Sequence, residues 1–418
     1  MANIKPFRGI RPSKDKVHLI VSQSIDRYSK AEMNVKMITN PFSFLHIIKP
    51  ESFDGIKPRS GSREQLLLIK EKYLYFKKKN YLIADAEPSY YLYQQEKWGR
   101  KYTGIIAAIS IDDYFNGNIK LHEQTLTEKE NKLKEYLEIC DFNAEPVCFS
   151  YAADEEWDKQ LENFKQLTPE NFFTTTDDVT HTLWCINKKE DVEIIQNKFK
   201  TLSAVYIADG HHRSASSALL GQYHRSLKPN YNGNEGFNFY MGIFFSETHL
   251  EIFDYNRVVK VANDISDEEI IKRISEKFEV KKVGVHEYQS MRQHNFSMYL
   301  SGNFYSLNIL PQFFNPENPV QSLDSSILSE QLLNPVFGIK DLKTDKRVGF
   351  VPGIKKGEEL KKLVDSGKYR IAFGLYPVSL KQLKNIADTG NIMPPKTTWI
   401  EPKFRSALVI YDLSQEGY

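Results

Sequence analysis

Five consecutive residues, Asp209-Gly210-His211-His212-Arg213, place a carboxylate, a glycine, two imidazoles and a guanidinium side by side. The apolar run Ser203–Ala208 precedes them and the small-residue stretch Ser214–Leu220 follows, which reads as strand, tight turn and helix. A helix N-terminus offers unpaired N–H groups and partial positive charge, both suited to a phosphate. Glycine lets the backbone approach a ligand closely, and arginine grips phosphate oxygens with a planar fork. Residues 209–214 therefore read as a phosphate cradle, with Gly210, Arg213 and Ser214 as binding groups. Asp209 could hold a metal ion, orient a histidine, take a proton or cap the helix. His211 and His212 could donate hydrogen bonds to a phosphoryl group.

Two further groups carry chemistry. Ile119–Leu121 reads as a short strand that delivers His122 and Glu123 to its end. Thr127 and Glu130 have the spacing of a capping box for a helix running to about Ile139. On such a connection Glu123 is either a general base or an acid that serves the helix dipole. Near the C-terminus, Pro394-Pro395-Lys396-Thr397-Thr398-Trp399 reads as a rigid loop with one cation and two hydroxyls. It could close over an anionic substrate, with Lys403 and Arg405 nearby, or be a surface loop.

The elements that must position these groups follow from local pattern. Arg63–Lys79 has helical apolar spacing. Ala86–Gln95 and Tyr102–Ser110 read as a hairpin turned at Gly99. Val147–Tyr151 and His181–Asn187 read as strands, and Asp191–Leu202 as the helix leading into the strand before Asp209. Asn40–Pro50 reads as a turn followed by a buried strand, with His46 partly buried. Phe237–Phe245 and Leu250–Asp254 read as a second hairpin. A second α/β segment starts near residue 262, and Ala407–Asp412 closes the chain as a strand.

The chain of 418 residues is too long for one ordinary core, so several domains are expected. The balance of 56 basic and 54 acidic residues argues against a broad nucleic-acid footprint. The three cysteines show no metal-binding spacing and fit a reducing cytoplasm. No apolar signal core opens the sequence, and no stretch nears the roughly 18 apolar residues of a membrane span. Walker A, GxGxxG and GxSxG patterns are lacking at the positions their chemistry requires.

Six blocks carry a resemblance over nearly the whole chain: Asn40–His46, Ile119–Glu123, Ala208–Arg213, Tyr255–Val259, Thr344–Arg347 and Met393–Trp399. On these the chain is identified as a member of domain-of-unknown-function family 1015. The His-Glu segment followed by Asp-Gly-His-His-Arg also resembles the free serine kinases, which share a core with ParB and sulfiredoxin. That resemblance implies an α/β fold with mixed (α+β) sheets, a ParB/sulfiredoxin-like nucleotide-binding core and an additional α/β domain. Its segments would be 1–110, then 111–260 with the Asp209 turn, then 261–418, whose Lys396 loop returns to the site. The long interval between Glu123 and Asp209 implies an insertion near residues 150–200.

The implied activity is that of a small-molecule kinase moving a phosphoryl group from ATP or ADP, with Mg²⁺, to a hydroxyl, first of all that of free L-serine. Glu123 would be the base, aided by His122, and Asp209 the metal partner. A nucleotide-binding regulator and a nucleotide hydrolase or phosphatase remain as alternatives, and a base such as Glu123 favours an enzyme. Expected partners are a nucleotide and a small amino acid, with neither membrane nor nucleic acid. A homodimer is compatible with the sequence.

Overall fold

A computed structural model describes residues 2–51, 58–261 and 265–415, which group into two compact units. The expected start of a second segment near residue 262 lies outside the described residues. The fold is mixed α/β in both units. Among the described residues no helix is long and apolar enough to cross a membrane.

The first unit comprises Met1–Lys120, Thr125–Leu250 and Pro402–Tyr418. The strands of its main sheet are β1 (Ile4–Lys5), β2 (Tyr90–Lys97), β3 (Arg100–Ser110), β4 (Ile119–Lys120), β5 (Val147–Tyr151), β6 (Asn171–Thr174), β7 (Thr180–Ile186), β8 (Val205–Asp209) and β9 (Phe239–Ser246). They form one mixed sheet in the order β6-β7-β2-β3-β9-β5-β8-β4, with β1 on β3. The β2–β3 hairpin turns at Trp98-Gly99, where φ is 54° and 74°, the left-handed pair that matches strand twist. The run Tyr102–Ser110 is buried throughout, as befits a strand covered on both faces. Its helices include α1 (Arg63–Lys78), α2 (Thr127–Cys140), α3 (Glu155–Phe164), α4 (Lys189–Thr201) and α5 (His211–Leu227).

The small residues of α5 explain its place. Ser214, Ala215, Ser216, Ser217, Ala218 and Gly221 are all buried, so the helix lies close to its neighbours. A side chain at Gly221 would stand 2.4 Å from Ile111 Cδ1 and 2.5 Å from the Phe237 carbonyl. Ser216 donates to the carbonyls of His212 (2.7 Å) and Glu130 (3.0 Å), tying α5 to α2.

The second unit comprises Leu121–Gln124 and Glu251–Glu401. Its strands are β10 (Glu251–Val259), β11 (Phe278–Gly284), β12 (Asn295–Leu300), β13 (Asn303–Ile309), β14 (Val348–Pro352), β15 (Ile371–Gly374) and β16 (Thr398–Glu401). The order is β11-β13-β12-β15-β10-β14, all antiparallel, with β16 on the first half of β10. Its helices include α6 (Asp267–Ser275), α7 (Asp324–Ile327), α8 (Lys356–Asp365) and α9 (Leu380–Asp388). Phe278, Phe296, Leu328, Leu332 and Phe373 lie at its core.

Several expectations need correction. Phe237–Phe245 and Leu250–Asp254 are not a hairpin: β9 pairs with β3 and β5, whereas β10 pairs with β14, β15 and β16. Their true partners are distant in sequence, so local pattern could not reveal them. Leu45–Ile48 is a short helix rather than a strand, and His46 Nε2 meets the carbonyls of Met37 and Asn40 at 3.1 Å. Leu126, not Thr127, is the N-cap of α2, with no side-chain cap. Ala407–Asp412 is not one strand; the described pieces are Arg405–Ser406 and Tyr411–Asp412. Residue 110 is no boundary, because β3 is hydrogen-bonded to β9 within one sheet. Nor is residue 260, because the second unit takes over at Glu251 and the first resumes at Pro402.

Candidate functional site: the β8–α5 turn

The strand before the turn carries an irregularity at the point of interest. On β8, Ile207 pairs with Phe149 but Asp209 pairs with Cys148, so the register shifts and a bulge falls at Ala208. Bulges re-aim the side chain that follows them. Gly210 then takes φ 104°, a left-handed value that side chains rarely adopt, and is the N-cap of α5. A Cβ there would meet Arg213 Nε at 3.0 Å, so the missing side chain also leaves room for the guanidinium to fold back over the turn.

Arg213 donates to the Pro146 carbonyl at 2.8 Å and to Glu145 Oε2 at 3.3 Å, and its other nitrogen lies 3.9 Å from Asp209 Oδ2. Lys403 approaches from the C-terminal segment and donates to Asp209 Oδ2 at 2.9 Å. Burial alone would raise the Asp209 pKa. The charges of Lys403 and Arg213 and the Lys403 hydrogen bond outweigh it and hold the carboxyl well below the usual range. Burial, then the charge of Asp209, pushes the Cys148 thiol far up, so it is inert as a nucleophile.

The two histidines face different surroundings. His211 is buried. His212 Nε2 accepts the Leu126 N–H at 3.1 Å, which leaves Nδ1 as its donor. Burial and then the Lys129 charge lower its pKa, so the ring is neutral near pH 7. Lys120 pairs with Tyr206 of β8, and Leu126 meets His212 of α5.

Ser214 is not a ligand-facing group. It is fully buried, its hydroxyl is bonded to the Tyr240 phenol at 2.7 Å, and its N–H goes to the Gly210 carbonyl. Arg405 also points elsewhere, to Asp177, Thr175 (2.8 Å) and His181 (3.3 Å). Glu145 and Tyr240 escaped sequence reasoning. The one local hint for Glu145 is its place next to Pro146 before a strand.

Four sequence candidates sit in the second unit. The buried His122 accepts the Met393 N–H on its carbonyl at 2.9 Å, so His122-Glu123 adjoins the Pro394–Trp399 loop. Lys396 takes φ 57° and its ammonium lies 5.3 Å from the Tyr255 ring centre. Its carbonyl accepts from the fully buried Arg257 at 3.0 Å. Thr397 is not a binding group: it is buried and bonded to the Pro394 carbonyl (2.7 Å) and Ser325 (3.0 Å), where it shapes the loop.

The metal role expected of Asp209 does not fit this arrangement. A hard divalent cation wants several oxygen ligands. Asp209 is already shared by two cations, and Glu145 is bonded to Arg213 and to Ser406 at 2.6 Å. What the turn does offer is two cations and the first N–H groups of a helix of 17 residues, the chemistry of a phosphate site.

These features define a mixed α/β protein with a strand–bulge–glycine–helix turn. The family model described as "Protein of unknown function (DUF1015)" matches residues 4–326, and the chain belongs to that family. No curated protein sequence matches it. Among solved structures it is similar to a free serine kinase variant in complex with AMP, at 12% identity and TM-score 0.38, covering 72% of this chain and 92% of that one. A conserved hypothetical protein from Pyrococcus furiosus is similar at 13% identity and TM-score 0.34, with coverages of 72% and 91%. SbnI with a C-terminal truncation, from Staphylococcus aureus, is similar at 11% identity and TM-score 0.35, with coverages of 72% and 87%.

Proposed function

We propose that the protein is a phosphotransferase that binds ATP or ADP through the β8–α5 turn and moves a phosphoryl group to a small-molecule hydroxyl, first of all that of free L-serine. The observation that carries the reading is the left-handed Gly210 between a bulged strand and a helix start, with Arg213 folded over it and Lys403 beside it. Phosphoryl transfer needs positioning and charge neutralisation more than covalent help from the protein. Arg213, Lys403 and the first amides of α5 supply that neutralisation.

In the transfer, the acceptor oxygen attacks the terminal phosphorus, a new P–O bond forms, and the bond to the nucleotide oxygen breaks. The hydroxyl proton goes to Glu123, the base of the His122-Glu123 segment whose motif resembles that of the serine kinases. His211, and His212 through Nδ1–H, would donate to phosphoryl oxygens. Lys396 remains a candidate cation for the acceptor, and Mg²⁺ would enter with the nucleotide as its counter-ion.

Phosphorus NMR of the full chain with Mg²⁺, ATP or ADP, and L-serine tests this. The expected result is phosphoserine, absent from Glu123→Ala. Release of inorganic phosphate without phosphoserine would move the reading to a hydrolase, and nucleotide binding without any product to a regulator.

A further inference from the structure

Four charged side chains at the turn form a balanced set. Asp209 and Glu145 carry the negative charges, Arg213 and Lys403 the positive ones. Their side chains are only partly exposed, 38% for Asp209, 24% for Arg213 and 19% for Lys403, so their mutual attraction is incompletely screened. A phosphate adds about two negative charges at neutral pH. It cannot join a balanced set cheaply; it must take cations away from a carboxylate.

The two carboxylates are held differently. Glu145 is fastened on both oxygens, by Ser406 on Oε1 at 2.6 Å and by Arg213 (3.3 Å) and Ser24 (3.4 Å) on Oε2. The ion pairs described for Asp209 go to Lys403 and Arg213, the two groups a phosphate would want. Asp209 is therefore the carboxylate that can let go.

The backbone of Lys403 is pinned by its neighbours. Arg405 is bonded to Asp177, Thr175 and His181, Ser406 to Glu145, and the Ala407 N–H to the Ala144 carbonyl at 3.0 Å. Its long flexible side chain can turn from one acceptor to another while the chain stays in place.

We propose that Asp209 is a built-in competitor for the phosphate site, that an entering phosphate displaces it from Lys403, and that Lys403 then becomes a phosphate-binding residue. The inference rests on the phosphate reading of the turn and replaces a metal role for Asp209 by that of a counter-anion. The low pKa of Asp209 keeps it ionised, and so competing, across the neutral range. The expected consequence is unusual for a polar residue at a binding site: removing its charge tightens binding.

Calorimetry of pyrophosphate with the full chain, without metal, tests it. Asp209→Asn should bind pyrophosphate more tightly than wild type, by about tenfold, because one charged competitor is gone. Lys403→Gln should weaken binding by about tenfold. Equal or weaker binding by a folded Asp209→Asn overturns the inference while leaving the phosphate site standing. Absence of binding in wild type and Asp209→Asn alike overturns both. Should Asp209→Asn not fold, Lys403→Gln decides, since unchanged affinity there removes Lys403 from the site.

Discussion

A methyl group at position 210 would stand 3.0 Å from Arg213 Nε and 3.1 Å from its terminal nitrogen. The conformation of one residue and the resting place of the other are thus a single constraint. Gly210→Ala strains a backbone at φ 104° and pushes the guanidinium off the turn. The expected cost is about 1–2 kcal/mol in stability, read from melting curves, with weaker nucleotide binding in the same variant.

Ser214 and Tyr240 form a buried pair at 2.7 Å behind the turn. Tyr240→Phe leaves the Ser214 hydroxyl without that partner in a buried place and should destabilise by about 1–2 kcal/mol. Because the pair does not face a ligand, ADP affinity should stay within about twofold of wild type. A large affinity loss without a stability loss would return Ser214 to the binding groups.

The two units should respond to acid in opposite directions. In the first unit, burial lowers His181 to about 3, and burial is also the leading cause of the lowered values of His212, His224 and His249. A histidine with a depressed folded pKa contributes stability that is present above the unfolded value of 6.5 and lost as pH falls from there toward the folded value. For His181 alone the loss by about pH 4.5 is on the order of 2–3 kcal/mol.

In the second unit, burial raises Asp324 to about 7 and Asp254 to about 6, and Asp254 adds its charge against Asp324. A carboxyl with a raised folded pKa contributes stability that is present below the unfolded value of 3.8 and lost as pH rises through the folded value. Acidification from about pH 7.5 to about pH 4.5 should therefore weaken amide-exchange protection in β7 and strengthen it in β15. His181→Gln should flatten the first trend and Asp324→Asn the second. Parallel changes in both strands would contradict this assignment.

The turn was legible because everything that makes it is local: an apolar strand, a glycine and a run of small helical residues within 203–220. The same holds for α1 and for Val147–Tyr151, where period and length agree. What escaped reading depends on distant partners. Lys403 meets Asp209 across 194 positions. Glu145 gains its meaning only when Arg213 and Ser406 reach it. Ser214 looked like a ligand group because a hydroxyl at a helix start often is one, and only β9 supplies the Tyr240 that claims it. The β10 strand looked like half of a hairpin because its neighbour in sequence is also a strand, although the two join different sheets.

In the proposed function the β8–α5 turn receives nucleotide phosphates. Titration calorimetry with ADP on wild type, Arg213→Ala and Arg225→Ala tests it most directly. Arg225 is on the same helix but at its far end, paired with Asp112 at 2.5 Å. ADP binding is expected for wild type and Arg225→Ala, with its loss, by about tenfold or more, in Arg213→Ala. Equal ADP affinity in all three proteins would contradict it.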